Sequence, residues 1–191
     1  MPHHATTPPG AAGPRSATTP SGASGPHPVS GALFRHAMAS VATPVSVVTT
    51  AEEGTPYGTT VSAFASLSMD PPQVLVALDE NSGLLDVLRR TRRFALNVLS
   101  AGQESLATTF ARKDPDRFAG IRWHQEAGLP RLAGAGVWLA CAVDHFLPGG
   151  DHVIAAGRVT GTHVSEEAAP LTYHRHRFGT HVTAGTSHGS S

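Results

Sequence analysis

The sequence predicts a mainly β protein with short helices, folded as a closed or partly closed antiparallel barrel. Three observations predict it. About six or seven segments rich in β-branched and apolar residues read as strands, most of them nearly adjacent in the chain. Helical periodicity is confined to short stretches. No unit of strand, long helix and strand recurs, which argues against a doubly wound parallel sheet.

The elements follow in order. Residues 1–28 consist almost wholly of Pro, Ala, Gly, Ser, Thr and His, with Arg15 the one charged side chain. Such a segment buries too little apolar surface to offset its ordering entropy, so it is expected to be a disordered extension. It lacks the basic start and apolar core of a secretory signal. One domain is expected over residues 29–181, with a flexible tail over residues 182–191. Phe34, Met38 and Val41 recur at helical spacing, predicting a short helix over 31–40 that Pro44 closes. Residues 45–50 are a β-branched run, and the Glu52-Glu-Gly-Thr-Pro56 turn leads by a hairpin into a strand over 57–64. Residues 73–78 are apolar on both faces after Gln73, as in a strand buried on both sides. Ser82 is placed to cap a helix carrying Leu84, Leu85, Val87 and Leu88. A strand over 94–99 follows, then a helix over 103–111 that Lys113-Asp-Pro-Asp116 ends. Residues 137–146 and 152–164 are two long strands joined by the turn Leu147-Pro-Gly-Gly-Asp151.

Fourteen Lys and Arg balance fourteen Asp and Glu, so net charge gives no case for nucleic acid or a membrane surface as partner. No stretch is long and apolar enough to span a bilayer, and a cytoplasmic protein is expected. The single cysteine, Cys141, excludes an intramolecular disulfide and a cysteine zinc cluster; its apolar surroundings predict a core thiol. His174-Arg-His-Arg177 matches no metal-ligand spacing, so no metal is expected. Neither a Gly-x-Gly-x-x-Gly after a strand, nor a Walker lysine, nor a Gly-x-Ser-x-Gly elbow is present.

Two segments remain as candidates. Gly58-Thr-Thr-Val-Ser-Ala-Phe64, continuing through Ser66-Leu-Ser-Met-Asp-Pro-Pro72, carries no charge before Asp70. It reads either as a Ser/Thr-rich strand edge or as a cradle whose hydroxyls and amides suit the carbonyl-rich edge of an isoalloxazine ring and its phosphate tail. Gly149-Gly-Asp-His152 reads either as a hairpin turn with a rim histidine or as a contact for an anionic or amide-bearing ligand. Four arginines within residues 89–93 either complement a helix C-terminus or bind a phosphate or acidic partner.

Read as a set, these motifs resemble the flavin reductase-like family. The set comprises Phe34-Arg-His-Ala37, Pro44-Val-Ser-Val-Val-Thr-Thr50, the 58–64 and 66–72 segments, Phe94-Ala-Leu-Asn-Val-Leu-Ser100 and Gln103 to Phe110. It continues through Asp116-Arg-Phe-Ala-Gly120, Gly134-Ala135 before Trp138, Gly150-Asp-His152 and Pro170-Leu-Thr-Tyr173, in the family's order across about residues 32–178. The resemblance implies an FMN-binding split β-barrel, a Greek-key-like antiparallel barrel, that forms a homodimer with flavin sites near the subunit interface. It implies an NAD(P)H-dependent reductase passing hydride from NADH or NADPH to FMN or FAD and supplying reduced flavin to a separate monooxygenase. It places the flavin against Tyr57, Gly58, Thr59, Thr60, Ser62 and Ala63, with Ala77, Leu78, Asp79, Ser82, Thr109 and Phe110 completing the pocket. Gly150, Asp151 and His152 are associated with the dinucleotide, and Tyr173 and Arg175 border the cleft. Such chemistry needs no proton-transferring side chain; His152 is expected to position the dinucleotide. One departure is His176, where family members often carry glycine. Two other readings stand beside this one: a flavin-retaining barrel with a different or lost redox role, and a non-enzymatic barrel that docks an acidic protein through residues 89–93.

Overall fold

A computed structural model describes residues 29–114 and 116–183. The expectations for residues 1–28, and for all but the first two residues of the tail, lie outside these. In chain order the elements are α1 (Gly31–Ala39), β1 (Thr43–Pro44), β2 (Ser46–Glu52), β3 (Thr55–Val61), β4 (Phe64–Met69), β5 (Pro72–Asp79) and α2 (Gly83–Thr91). They continue with β6 (Arg93–Val98), α3 (Glu104–Ala111), β7 (Trp123–Glu126), β8 (Leu129–Leu132), β9 (Val137–Gly149), β10 (His152–Val164), β11 (Leu171–His174) and β12 (Arg177–Thr180). The fold is mainly β, every strand pairing is antiparallel, and the helices are short.

Seven strands form one sheet in the order β3-β2-β6-β9-β10-β5-β4; β1, β11 and β12 form a second, and β7 and β8 a third. The large sheet keeps two edge strands among the described residues, so of the closed or partly closed barrel expected from sequence the closed form is not seen. β1, β4, β7, β8, β11 and β12 were not expected as strands. Each is six residues or fewer, too short for a clear period-two signal. The run expected over 57–64 breaks at Ser62 and Ala63, where the chain leaves β3 and enters β4.

The strand buried on both faces is β2, not β5. Residues 45–50 are all buried. One side of β2 meets α2 through a cluster holding Val48, Leu84, Leu85, Leu88, Phe94 and Leu96. The other side meets α3, β8 and β11 through Val45, Val47, Phe110, Leu132 and Leu171. Its three buried hydroxyls each find a carbonyl at 2.7 Å: Ser46 donates to Val61, Thr49 to Pro130 and Thr50 to Arg93. Buried polar groups are tolerated on that condition. In β5 only Val74, Val76 and Leu78 are buried, while Leu75 and Ala77 on the opposite face stay partly exposed. An apolar run therefore did not mean two covered faces.

Amphipathic α2 inserts Leu84, Leu85, Val87 and Leu88 as expected, but Ser82 at its N-cap makes no side-chain capping bond. Helix α1 is capped by the Ser30 hydroxyl, which accepts from Leu33 N–H at 3.2 Å, yet buries none of its residues. No helix among the described residues is long and apolar enough to cross a membrane.

Candidate active site at the joined edges of the sheet

Topology creates the site. β3 and β4 are opposite edges of the seven-stranded sheet, yet they follow one another in the chain through Ser62 and Ala63. Three Cα steps reach at most about 11 Å, so the sheet must curl until both edges meet at this corner. Ala77 on β5 ties the corner, its N–H donating to the Ala63 carbonyl at 2.9 Å.

A cavity of about 220 Å³ opens there. β3 supplies Thr59, Thr60 and Val61, and the link supplies Ser62 and Ala63. β5 supplies Ala77, Leu78 and Asp79, while Ser82 lies at the start of α2 and His152 at the start of β10. Nine of these ten were expected from sequence; Val61 was missed because an apolar residue between Thr60 and Ser62 reads simply as strand core. The ionisable lining groups are Asp79 and His152, opposed in the β5–β10 register, and no lysine or arginine joins them.

The remaining expected residues take other positions. Phe110 is fully buried beneath Gly58, where a Cβ would come within 2.9 Å of its ring; the glycine is there so that β3 can pass close over Phe110. Tyr57 packs against the first core cluster, and Thr109 accepts through its carbonyl from Arg112 N–H at the end of α3. Gly150 and Asp151 form the tight turn between β9 and β10, outside the lining. Tyr173 and Arg175 belong to the β11–β12 hairpin of the separate small sheet, so they do not border this cavity. In that hairpin Arg175 and His176 have φ of 47° and 61°. A two-residue turn of this kind requires positive φ, which accounts for a preference for glycine at His176.

The hydroxyls of the wall are largely engaged. Thr60 donates to the Ala107 carbonyl at 2.7 Å and Thr59 to the Phe110 carbonyl at 3.4 Å, so both tie β3 to α3. What β3 offers a ligand is therefore chiefly its edge backbone, as expected of an unpaired strand edge. At His152, Nδ1 lies 2.7 Å from Asp151 Oδ1, and this hydrogen bond holds the Asp151 carboxyl below its ordinary value. An ionised carboxylate only accepts, so Nδ1 carries the proton, and in the neutral ring Nε2 is an acceptor.

Three arginines of the run make contacts within the fold. Arg90 grips Glu52 with two bonds of 2.7 and 2.8 Å. Arg92 donates to the Val143 and Asp144 carbonyls and lies over the Phe146 ring, and Arg93 donates to the Ala127 carbonyl. Burial pushes the Cys141 thiol up to about 12, so it is no nucleophile at neutral pH. A second cavity, of about 280 Å³, lies at the start of α3. Its Gln103 already bridges Ser100 N–H and the Ala133 carbonyl, each at 2.9 Å. Arg117 was passed over in the sequence as one letter of a motif. Its Nη1 donates to the Gly58 carbonyl at 2.6 Å, on the outer edge of β3.

An antiparallel sheet curled onto itself, with a cavity walled by a strand edge and no hydrogen-bonded nucleophile–base pair among the described residues, suits a protein that holds a reactive cofactor. The comparisons with known proteins agree. Residues 38–181 match the model of the flavin reductase like domain, and the chain belongs to that family of oxidoreductases. It is 41% identical over 152 residues to the reductase component of a 4-nitrophenol 4-monooxygenase/4-nitrocatechol 2-monooxygenase from Rhodococcus opacus, covering 80% of this chain and 82% of that one. Among solved structures, the flavin reductase PheA2 superposes with a TM-score of 0.75 at 30% identity, over 81% of this chain and 100% of that one. The NADH:FAD oxidoreductase SgcE6 of Streptomyces globisporus C-1027, solved with NAD and FAD fragments, gives a TM-score of 0.75 at 32% identity, over 82% and 94%.

Proposed function

We propose that this chain is an NAD(P)H-dependent flavin reductase that takes FMN or FAD at the joined sheet edges and passes the reduced flavin to a separate monooxygenase. The observation that carries the reading is the cavity between β3, β5 and β10: polar, free of lysine and arginine, and walled by an exposed strand edge. The residues suit a flavin. Gly58 lets β3 run close over Phe110 so that its edge is smooth, and the buried Nε of Arg117 beside Gly58 has no acceptor among the described residues.

When bound, the flavin supplies the acceptor for the hydride of the nicotinamide. The chain supplies orientation. Thr59, Thr60, Val61, Ser62 and Ala63 would form one wall, Ala77, Leu78 and Asp79 the other, and Ser82 the floor at α2. His152, fixed by Asp151, would position the dinucleotide through Nε2. Backbone N–H groups near a ring that gains negative charge would stabilise the reduced state more than the oxidised one. We read the curled sheet as the FMN-binding split barrel. We also read the protein as a homodimer, because Leu75, Ala77, Ile154 and Leu147 share one incompletely covered sheet face.

The test follows NADH or NADPH at 340 nm under air with FMN and with FAD, together with the visible spectrum after anaerobic addition of flavin and then dinucleotide. Bleaching of the flavin and turnover with at least one pair are expected. No oxidation with either dinucleotide and either flavin would overturn the reading.

A further inference from the structure

The cavity at the joined sheet edges holds one charge that the proposed function leaves without a task. Asp79, the last residue of β5, lines it opposite His152 in the β5–β10 register. Asp79 Oδ1 accepts from Asn81 N–H at 2.7 Å and its carbonyl accepts from Ser82 N–H at 2.9 Å, which fixes the residue at the turn into α2. Other carboxylates are compensated by arginine: Glu52 by Arg90 at 2.7 Å, Glu126 by Arg131 at 2.6 Å and Asp144 by Arg158 at 2.7 Å. Asp79 forms no ion pair among the described residues, and the lining contains no lysine or arginine.

The reaction proposed above changes the charge of what the cavity holds. A hydride brings two electrons and one proton, so a ring that enters neutral ends one unit more negative. The ionisable lining groups supply no proton against that charge: an ionised carboxylate only accepts, and His152 has Nε2 as an acceptor in its neutral ring. Asp79 is exposed, so water screens its charge. A bound ring takes the place of that water, and the like charges then meet in a medium of lower dielectric. Backbone N–H groups of the wall act on the same charge in the opposite sense.

We propose that Asp79 is a release residue: its carboxylate weakens the hold of the site on the flavin once the ring is reduced, so that the product leaves instead of remaining on the wall. This rests on the functional reading above and adds to it the residue that favours departure. The neutral oxidised ring meets the same carboxylate with little electrostatic consequence, so the effect separates two states of one ligand. The flavin phosphate is common to both states and cancels in the comparison.

The experiment measures the dissociation constants of oxidised and reduced FMN, with FAD in its place if FMN does not bind, by anaerobic equilibrium dialysis without dinucleotide. The readout is the ratio of the reduced to the oxidised constant. Asp79→Asn removes the charge and keeps an oxygen to accept from Asn81 N–H. It is expected to lower the ratio about fivefold, the worth of one charge at a solvent-facing site. Asp79→Glu is expected to keep the wild-type ratio. In wild type, raising salt is expected to lower the ratio toward that of Asp79→Asn, because the repulsion is screened. If Asp79→Asn changes both constants by the same factor, the residue serves only the turn and the wall, and the proposal is overturned. A wild-type ratio that does not respond to salt overturns it as well, whether or not the variants fold. If wild type binds neither flavin in either state, the functional reading itself falls and the proposal falls with it.

Discussion

Residues 58–63 contain no charged side chain and residues 89–93 contain four arginines, yet the first stretch supplies one wall of the cavity and the second mainly fastens the fold together. The difference lies in what each group can be satisfied by. Arginines at the end of α2 sit beside the backbone carbonyls of a hairpin and the Glu52 carboxylate, and those partners engage them. A strand edge has backbone groups that its own sheet cannot pair, and they remain for a ligand. Charge density in a sequence is therefore a poor guide to where this fold opens a cavity. An unpaired edge held open by topology is a better one.

The comparison breaks most severely at Phe110. Its ring fills the space under Gly58 and joins α3 to the loop that carries Arg117. Phe110→Ala should cost about 3–5 kcal/mol, on the order of 10 °C in Tm. It should also weaken flavin binding, because the uncharged wall loses its support. Thermal unfolding and flavin titration check this together. A stable Phe110→Ala variant with unchanged flavin affinity would mean that the wall does not depend on the core beneath it.

That dependence also explains which parts were legible from sequence. The periodicity of Leu84, Leu85, Val87 and Leu88 announced α2, and the β-branched run 45–50 announced β2, because each buries side chains in a regular pattern. The cavity lining was legible residue by residue, through a series of motifs in the right order rather than through any single one. Tyr173 and Arg175 lie away from this cavity because β11 pairs with β1 and leaves the large sheet, which nothing local in the sequence signals. Phe110 was expected in the pocket wall and lies under it, since a helix-end aromatic gives no sign of whether it faces a cavity or the back of a strand. The tie from Arg117 to β3 was invisible because it is a contact across 59 residues of chain.

A finer test separates hydroxyls that hold the wall from hydroxyls that meet the ligand. Thr60 Oγ1 donates to the Ala107 carbonyl at 2.7 Å, so it is a tie between β3 and α3 even though the residue lines the cavity. Thr60→Val preserves shape and removes that donor. It should cost about 1 kcal/mol in stability, measured by denaturant unfolding, while changing the flavin dissociation constant less than about threefold. A tenfold loss of flavin affinity with no loss of stability would return Thr60 to the role of direct ligand contact.

The smallest effect is expected at the arginine run, and it sharpens the other half of the comparison. Arg90 and Glu52 form an exposed bidentate pair, and the hydrogen bond from Arg90 holds the Glu52 carboxyl below its ordinary value. A carboxyl depressed in the folded state lends stability that is complete above its unfolded pKa and is lost as pH falls through the lower folded one. Exposure to solvent and salt keeps that contribution small. Arg90→Gln should therefore flatten the acid limb of the stability profile slightly, and the difference from wild type should fade at high salt. Flavin affinity should stay within about twofold of wild type, since surface changes away from a site rarely propagate to it. A marked loss of NADPH turnover with NADH turnover intact would instead show that the run reads the extra phosphate of that dinucleotide, and the division between a binding edge and a fastening cluster would fail.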